Sequence, residues 1–252
     1  MTSRAVDHFL RATARKAGGL YLGYFVTSVL SDLLGNLTFG DAAAIVGVAT
    51  AHPGRFRLAF VLGLLSALLF LLAAWALHSL LKGVDERLAL LFLVLNLGGV
   101  AVQCLSTLSL AATSLLSSDA GSLAGLAPEG LRALAVLSAD TYKSGFVMAQ
   151  LFYGAWLLPL GYLVYASGFL PRALGLLLML DCLGILIWFF QFFLFPGHEM
   201  IVYPCWVVGF VAEFSLTAWL LIRGARPSGD IPASALAKAA GEPASPDSDL
   251  LD

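Results

Sequence analysis

Residues 176–190 read LLLMLDCLGILIWFF, and this stretch decides what kind of fold the sequence can form. Fourteen apolar or small residues surround one carboxyl group, that of Asp181. With its apolar flanks, the run reaches the roughly 20 residues that a helix needs to cross a bilayer. The stretch therefore predicts a membrane-spanning helix, and it raises the question of why an ionisable side chain lies near its centre.

The composition of the whole chain agrees with that prediction. Of the 252 residues, 60% are hydrophobic and 12% are charged, whereas a soluble domain usually has about 25% charged residues. So few charges cannot cover a surface that faces water. The net charge of −2 provides no basic surface, and we expect no nucleic-acid partner.

The three cysteines, Cys104, Cys182 and Cys205, all fall inside apolar runs. Their spacing fits neither a zinc site nor a disulfide framework, and we expect small buried side chains. The histidines form no set with the spacing of metal ligands. The sequence therefore predicts no metal site and no cofactor.

Five further apolar runs give six predicted spans in all. They are Ala17–Leu37, Leu58–Leu81, Leu88–Leu116, Ser144–Ala166, Ala173–Phe195 and Ile201–Ile222. Each is long enough to cross about 30 Å of hydrocarbon at 1.5 Å per residue. Two long connections, Thr38–Arg57 and Ser117–Lys143, contain Ala- and Leu-rich pieces for which we expect short interfacial helices. The predicted fold is all-α, a polytopic bundle of six transmembrane helices over residues 17–224.

The two ends of the chain differ from the bundle. Residues 1–16 are basic, and their apolar residues recur three to four positions apart, which is typical of an amphipathic helix on a membrane surface. A cleaved signal peptide is the alternative, but the first span exceeds an h-region of about 7–15 residues. Residues 225–252 are rich in Pro, Ala, Ser and acidic residues and have no aromatics, which predicts a disordered tail.

Orientation follows from the basic residues that flank the spans, which concentrate on the cytoplasmic side of a membrane protein. If the N-terminus is cytoplasmic, ten of the fourteen Lys and Arg residues lie on that side. Arg55, Arg57, Arg132 and Lys143 lie on the other. We therefore expect a multi-pass protein with both termini in the cytoplasm.

The run at residues 152–178, FYGAWLLPLGYLVYASGFLPRALGLLL, is distinctive. It resembles the central motif of a bacterial membrane family known as domain of unknown function 4386. The resemblance continues through residues 56–103 and AGGLYLGYF at 17–25, and it covers most of the chain from Ala17 to Gly224. It implies a multi-span protein of the bacterial cytoplasmic (inner) membrane and supplies no catalytic residues. Asp181 departs from the family pattern, in which this position tends to be small or apolar.

Two carboxyl groups lie near the middle of their predicted spans, Asp181 in the fifth and Glu213 in the sixth. A carboxylate at that depth costs about 2.5–3.5 kcal/mol on insertion scales, and such residues usually face the bundle interior or a cavity. No Lys or Arg lies at the same level. We therefore expect one or both to be protonated and to donate hydrogen bonds, and to share a proton if they meet.

Helical periodicity predicts what these carboxyl groups face. Small and polar residues recur three to four positions apart in four spans, and lipid cannot solvate such stripes. We therefore expect them to meet in a polar seam. Its candidate residues are Glu213, Asp181, Gln103, Asn96, Gln150, Asp32 and Lys143.

Each candidate has a structural alternative. Interhelical hydrogen bonds, worth about 0.6 kcal/mol each, explain polar residues without any ligand. Lys143 and Asp32 could form an ion pair or extend separately to water. The aromatic run at residues 188–193, WFFQFF, could line a pocket, but contact with lipid chains is the favoured interpretation.

The chain has no nucleotide-binding loop, metalloprotease helix or nucleophile elbow. The leading hypothesis is a small-ligand- or proton-handling bundle of transporter or sensor type, with Glu213 in its seam. A non-catalytic membrane scaffold or subunit is the first alternative. An intramembrane enzyme that acts on lipid or quinone, with Glu213 and Asp181 as acid and base, is the second. The expected partners are the lipid bilayer and a small molecule or proton. Homo-oligomerisation stays open.

Overall fold

The computed structural model describes residues 3–117 and 127–225, with side chains from Leu10 onward, and within these ranges all regular structure is helical. The seven α-helices are α1 Ser3–Gly35, α2 Ala42–Ala51, α3 Pro53–Leu81, α4 Glu86–Leu116, α5 Pro128–Ala166, α6 Arg172–Leu194 and α7 Val202–Ile222, with a 3-10 turn at Glu199–Ile201 before α7. The predicted short helix between the first two spans is α2. The predicted disordered tail lies almost entirely outside the described residues.

Six of these helices are long and apolar enough to cross a membrane, and α2 is too short. Their outward faces carry large apolar side chains, among them Leu33, Leu105 and Val207, each at least 64% exposed. A soluble protein rarely exposes a continuous apolar surface of this extent. The prediction of an all-α polytopic bundle is confirmed, and the protein is an integral membrane protein.

The six long helices form a closed ring in chain order. Each packs against the next, and α7 returns to pack against α1. Helix α2 lies across one end of the ring, where it contacts α3, α4 and α5; we call this the α2 end. Inside the ring, Phe70 of α3 is surrounded by Tyr21, Tyr24, Tyr153 and Trp156, whose ring centroids lie 4.4–5.7 Å away.

Helix α1 is longer than the predicted first span. The expected surface helix at residues 1–16 continues without a break into the span, across Gly18 and Gly19, because packing against the core holds it on both sides of these glycines. Leu10, Ala14, Ala17 and Tyr21 are all buried in the same core. Their spacing of three or four residues carries one apolar stripe across the expected boundary.

Helix α5 also begins earlier than expected, at Pro128 instead of Ser144. Its 39 residues span about 58 Å, so α5 extends beyond the thickness of the hydrocarbon. In the extension, Ala135, Ala139 and Tyr142 pack with residues of α2 in a second apolar cluster. This contact stabilises the helical conformation of the segment. The sequence had predicted a loop with short helices there. Residues 118–126 of that loop lie outside the described part.

The predicted hairpin of the fourth and fifth spans is present as α5 and α6. A β-carbon on Gly161 would lie 2.8 Å from the carbonyl oxygen of Gly175 across the hairpin. A side chain at either position would push the helices apart. Gly168 adopts φ +71° in the connecting turn, a conformation that favours glycine.

Candidate functional site

The side chain of Asp181 lies on α6 and is 0% exposed. Neither of its carboxyl oxygens has a hydrogen-bond partner among the described residues. The hydrogen bond expected from a protonated carboxyl group is therefore absent. Asp181 faces α7 at Gly209, where an added β-carbon would lie 2.6 Å from Asp181 Oδ1. Glycine at 209 therefore creates the space that this carboxyl group occupies.

Glu213 lies one turn beyond Gly209 on α7 and is partly buried. It interacts electrostatically with Asp181 and with Tyr24 of α1. The Tyr21 hydroxyl also lies close to Glu213. However, the two groups do not have hydrogen-bond geometry, and Tyr21 Oη is buried without a partner among the described residues. Helices α1, α6 and α7 thus meet around two acidic side chains.

A cavity of about 280 Å³ lies between α1, α5, α6 and α7, and both carboxyl groups line it. We call it the acidic cavity. Among the described residues, its wall carries three carboxyl side chains and no Lys, Arg or His. Seven of its lining residues are aromatic: Tyr24, Phe25, Phe39, Phe146, Trp188, Trp206 and Phe210. Glu213 is partly exposed and can contact a small molecule or exchange a proton in this space. The Asp181 carboxyl group lines the same space but has no exposed surface, so a ligand would reach it only after a shift of the side chains around it.

A second cavity, of about 470 Å³, adjoins the first toward the α2 end. We call it the vestibule. The two cavities share Phe39, Phe146, Trp188 and Trp206, together with Thr38. The four rings contact in series, with centroid distances of 5.2 Å for Phe39–Trp206, 5.5 Å for Trp206–Trp188 and 6.1 Å for Trp188–Phe146. These rings therefore line both cavities at the place where the cavities adjoin.

Asp32 lines the acidic cavity and also orders the turn between α1 and α2. Its Oδ1 accepts hydrogen bonds from the backbone N–H groups of Thr38, at 2.7 Å, and Phe39, at 3.3 Å. Lys143 lines the vestibule and donates to the carbonyl of Gly40. Within the described ranges, no ion pair joins Lys143 to Asp32, because each side chain binds the backbone of this turn instead.

The remaining candidates fall into two groups. Gln150 is buried and lines the acidic cavity. The α4 residues lie against α5, away from both cavities. There Gln103 Oε1 accepts a 2.7 Å hydrogen bond from the Tyr153 hydroxyl. Asn96 is fully buried, and its amide has no partner within the described part of the chain. The polar stripe of α4 is thus separate from the carboxyl groups.

Several lining residues were not identified from the sequence, among them Phe39, Phe146 and Cys205. Phe39 comes from a turn and Phe146 from α5, so helical spacing around the carboxyl groups does not reveal them. Cys205 lies four residues before Gly209 and eight before Glu213, and this spacing on α7 could have found it. The aromatic run at 188–193 is divided between both expected environments. Trp188 and Phe192 line cavities, whereas Phe190 and Phe193 are exposed on the outer face. Trp188 therefore differs from the favoured interpretation of lipid contact.

The described residues contain no group of three or more His, Cys, Asp and Glu side chains that could hold a metal ion. All three cysteines are free; Cys182 is buried, and Cys104 and Cys205 are partly buried. The chemistry of the site is therefore that of carboxyl groups and aromatic rings.

Comparison with known proteins identifies a family but no activity. No curated protein and no solved structure matches the chain. The model of one family, described as a domain of unknown function (DUF4386), matches residues 16–224. This range contains all six long helices, except the first residues of α1, and both cavities. The chain therefore belongs to the DUF4386 family.

Proposed function

We propose that the protein binds a small ligand within the membrane, in the acidic cavity, with Asp181 and Glu213 as the principal polar contacts. One observation carries this proposal. Asp181 is completely buried and has no hydrogen-bond partner among the described residues, and yet it lies on the wall of a cavity. A buried, unpartnered carboxyl group destabilises the fold, so a functional contact is the reason to retain it.

A structural role explains Asp181 less well. If it held helices together, its oxygens would accept or donate hydrogen bonds across α6 and α7, as Gln103 does with Tyr153 between α4 and α5. Instead, the opposite helix presents the bare backbone of Gly209. The comparison within one molecule supports the scaffold interpretation for Gln103 and the ligand interpretation for Asp181.

The arrangement of the cavities supports access from one end. The vestibule and the acidic cavity adjoin each other and extend from the α2 end to the depth of Asp181. On the far side, the buried rings of Tyr21, Phe70 and Trp156 fill the ring of helices. A ligand would enter from the α2 end. The structure would then represent one conformation of a transporter or sensor.

Native mass spectrometry on protein released from nanodiscs tests the proposal. We expect a discrete bound molecule on the wild-type protein and its loss in Glu213→Gln and Asp181→Asn. Asn96→Leu is the matched control, because it also removes a buried polar group but lies outside the cavity. The same molecule on all four proteins would contradict the proposed site.

A proton is the second candidate ligand, because two neighbouring carboxyl groups without a basic partner can share one. Proton flux into liposomes would separate the two cases. The proton would be the ligand if the wild-type protein carried no bound molecule and conducted protons, and if Glu213→Gln abolished this flux while Asn96→Leu preserved it. A protein that carried no bound molecule and conducted no protons would instead support the scaffold hypothesis.

A further inference from the structure

We propose that the acidic cavity takes a small organic cation, an amine or quaternary ammonium compound that carries an apolar group. The inference rests on the proposed function and adds the chemical class of the ligand. It follows from the charge of the wall, from its aromatic rings, and from the small number of oxygen atoms that it offers.

The charge of the wall determines the sign of the ligand. Asp32, Asp181 and Glu213 line the cavity, and no basic side chain in the described part of the chain lines it. An anion would meet only like charge there and would be repelled. A cation beside the partly exposed Glu213 would also lie near Asp181, whose two oxygens have no partner within the described residues. The charge therefore favours a cationic ligand.

The rings determine that this cation is organic. Trp188 and Trp206 lie edge to face with centroids 5.5 Å apart, and Tyr24 and Phe25 line the same space. Aromatic faces attract alkylated ammonium groups and are the usual means by which proteins bind them. An inorganic cation such as Ca²⁺ takes six to eight oxygen ligands, which this largely aromatic wall does not provide.

The size of the cavity limits the ligand. Its volume of about 280 Å³ is just below the range of about 300–1,000 Å³ for small-molecule pockets. A single aromatic ring with an alkylated ammonium group is therefore a suitable probe. Benzyltrimethylammonium meets this description. Neopentylbenzene has the same shape without the charge, and phenylacetate has the opposite charge.

The native cysteines provide the readout. Cys205 lines the acidic cavity, whereas Cys104 is also partly buried but lines neither cavity. A small thiol reagent and peptide mapping by mass spectrometry measure the alkylation rate of each cysteine in one sample. Cys104 is thus an internal control in the wild-type protein, and no substitution that risks misfolding is needed.

We expect benzyltrimethylammonium to slow alkylation of Cys205 at least tenfold at saturation and to leave Cys104 unchanged. Glu213→Gln should raise the half-protecting concentration at least tenfold, and Asn96→Leu should not change it. Phosphatidylglycerol nanodiscs are used, because their lipid supplies no ammonium group. Protection in phosphatidylcholine nanodiscs without added compound would identify a lipid headgroup as the source of the same cation.

Equal protection by neopentylbenzene, or protection by phenylacetate, would overturn the cationic class and leave ligand binding in the cavity intact. No protection by any of the three compounds would overturn the inference. The proposed function is tested separately, by whether native mass spectrometry detects a bound molecule on the purified protein.

Discussion

The carboxyl group of Asp181 on α6 occupies space that exists only because residue 209 on α7 is a glycine. A β-carbon at Gly209 would lie 2.6 Å from Asp181 Oδ1, closer than such a contact allows. The two helices therefore place a bare stretch of backbone opposite a buried acid. In a membrane, small residues commonly allow two helices to approach closely. Here the small residue also accommodates an ionisable side chain.

Gly209→Ala should weaken ligand binding by displacing the Asp181 side chain. Because the methyl group must push either the carboxyl group or α7 away, we expect the half-protecting concentration of benzyltrimethylammonium to rise at least tenfold. Gly19→Ala is the control, since a β-carbon there meets no atom within 4 Å. Unchanged protection of Cys205 in Gly209→Ala would contradict the assigned contact between Asp181 and the ligand.

Asp181→Leu should maintain or increase the free energy of unfolding. Leu has the same branching as Asp, although its two methyl groups are larger than the carboxyl oxygens, and the substitution removes a carboxyl group that makes no hydrogen bond within the described residues. We expect a gain of about 2 kcal/mol, near the cost of a carboxylate at the centre of a span. Steric trapping in bicelles measures this difference. A loss above about 1 kcal/mol would instead indicate that Asp181 stabilises the fold.

Gly184→Cys should form a disulfide with the native Cys205. A β-carbon at position 184 would lie 3.2 Å from Cys205 Cβ, close to the separation of about 3.5–4.5 Å in a disulfide. Oxidation and peptide mapping would detect the bond between α6 and α7. Leu183→Cys is the control, because that position is exposed on the outer face. Failure of the 184–205 pair to form would contradict the register of the two helices.

The hydrogen bond between Tyr153 and Gln103 should stabilise the protein without affecting ligand binding. Its coupling free energy, measured by a double-mutant cycle of Tyr153→Phe and Gln103→Leu, should be about 0.6 kcal/mol, the mean for membrane proteins. Protection of Cys205 should be the same in all four proteins. A large loss of protection in Gln103→Leu would extend the ligand site to α4.

The α2 end should face away from the cytoplasm. The positive-inside rule predicts this, because only Arg55, Arg57, Arg132 and Lys143 among the basic residues belong to that end. In a variant whose native cysteines are replaced by Ala, a membrane-impermeant maleimide should label His198→Cys in intact spheroplasts. Gly83→Cys, at the opposite end, should react only after lysis. The reverse labelling pattern would show that the α2 end faces the cytoplasm.

Much of the fold could be predicted from the sequence because hydropathy is a local property. A run of about 20 apolar residues, such as the one that contains Asp181, has few stable alternatives to a membrane-spanning helix. The same argument gave the depth of Asp181 and Glu213, since depth follows from position along a helix. It did not give the true starts of α1 and α5, because packing against other helices extends them.

The sequence by itself determined six spans, their approximate depths and the polar faces of four of them. Only the tertiary structure decided which faces meet: α1, α6 and α7 around Asp181 and Glu213, and α4 with α5 around Gln103 and Tyr153. The physical reason is that polar stripes restrict which face of a helix turns inward but do not select its neighbour. That choice depends on where glycines permit close approach and large rings fill space, as Gly209 and Phe70 do.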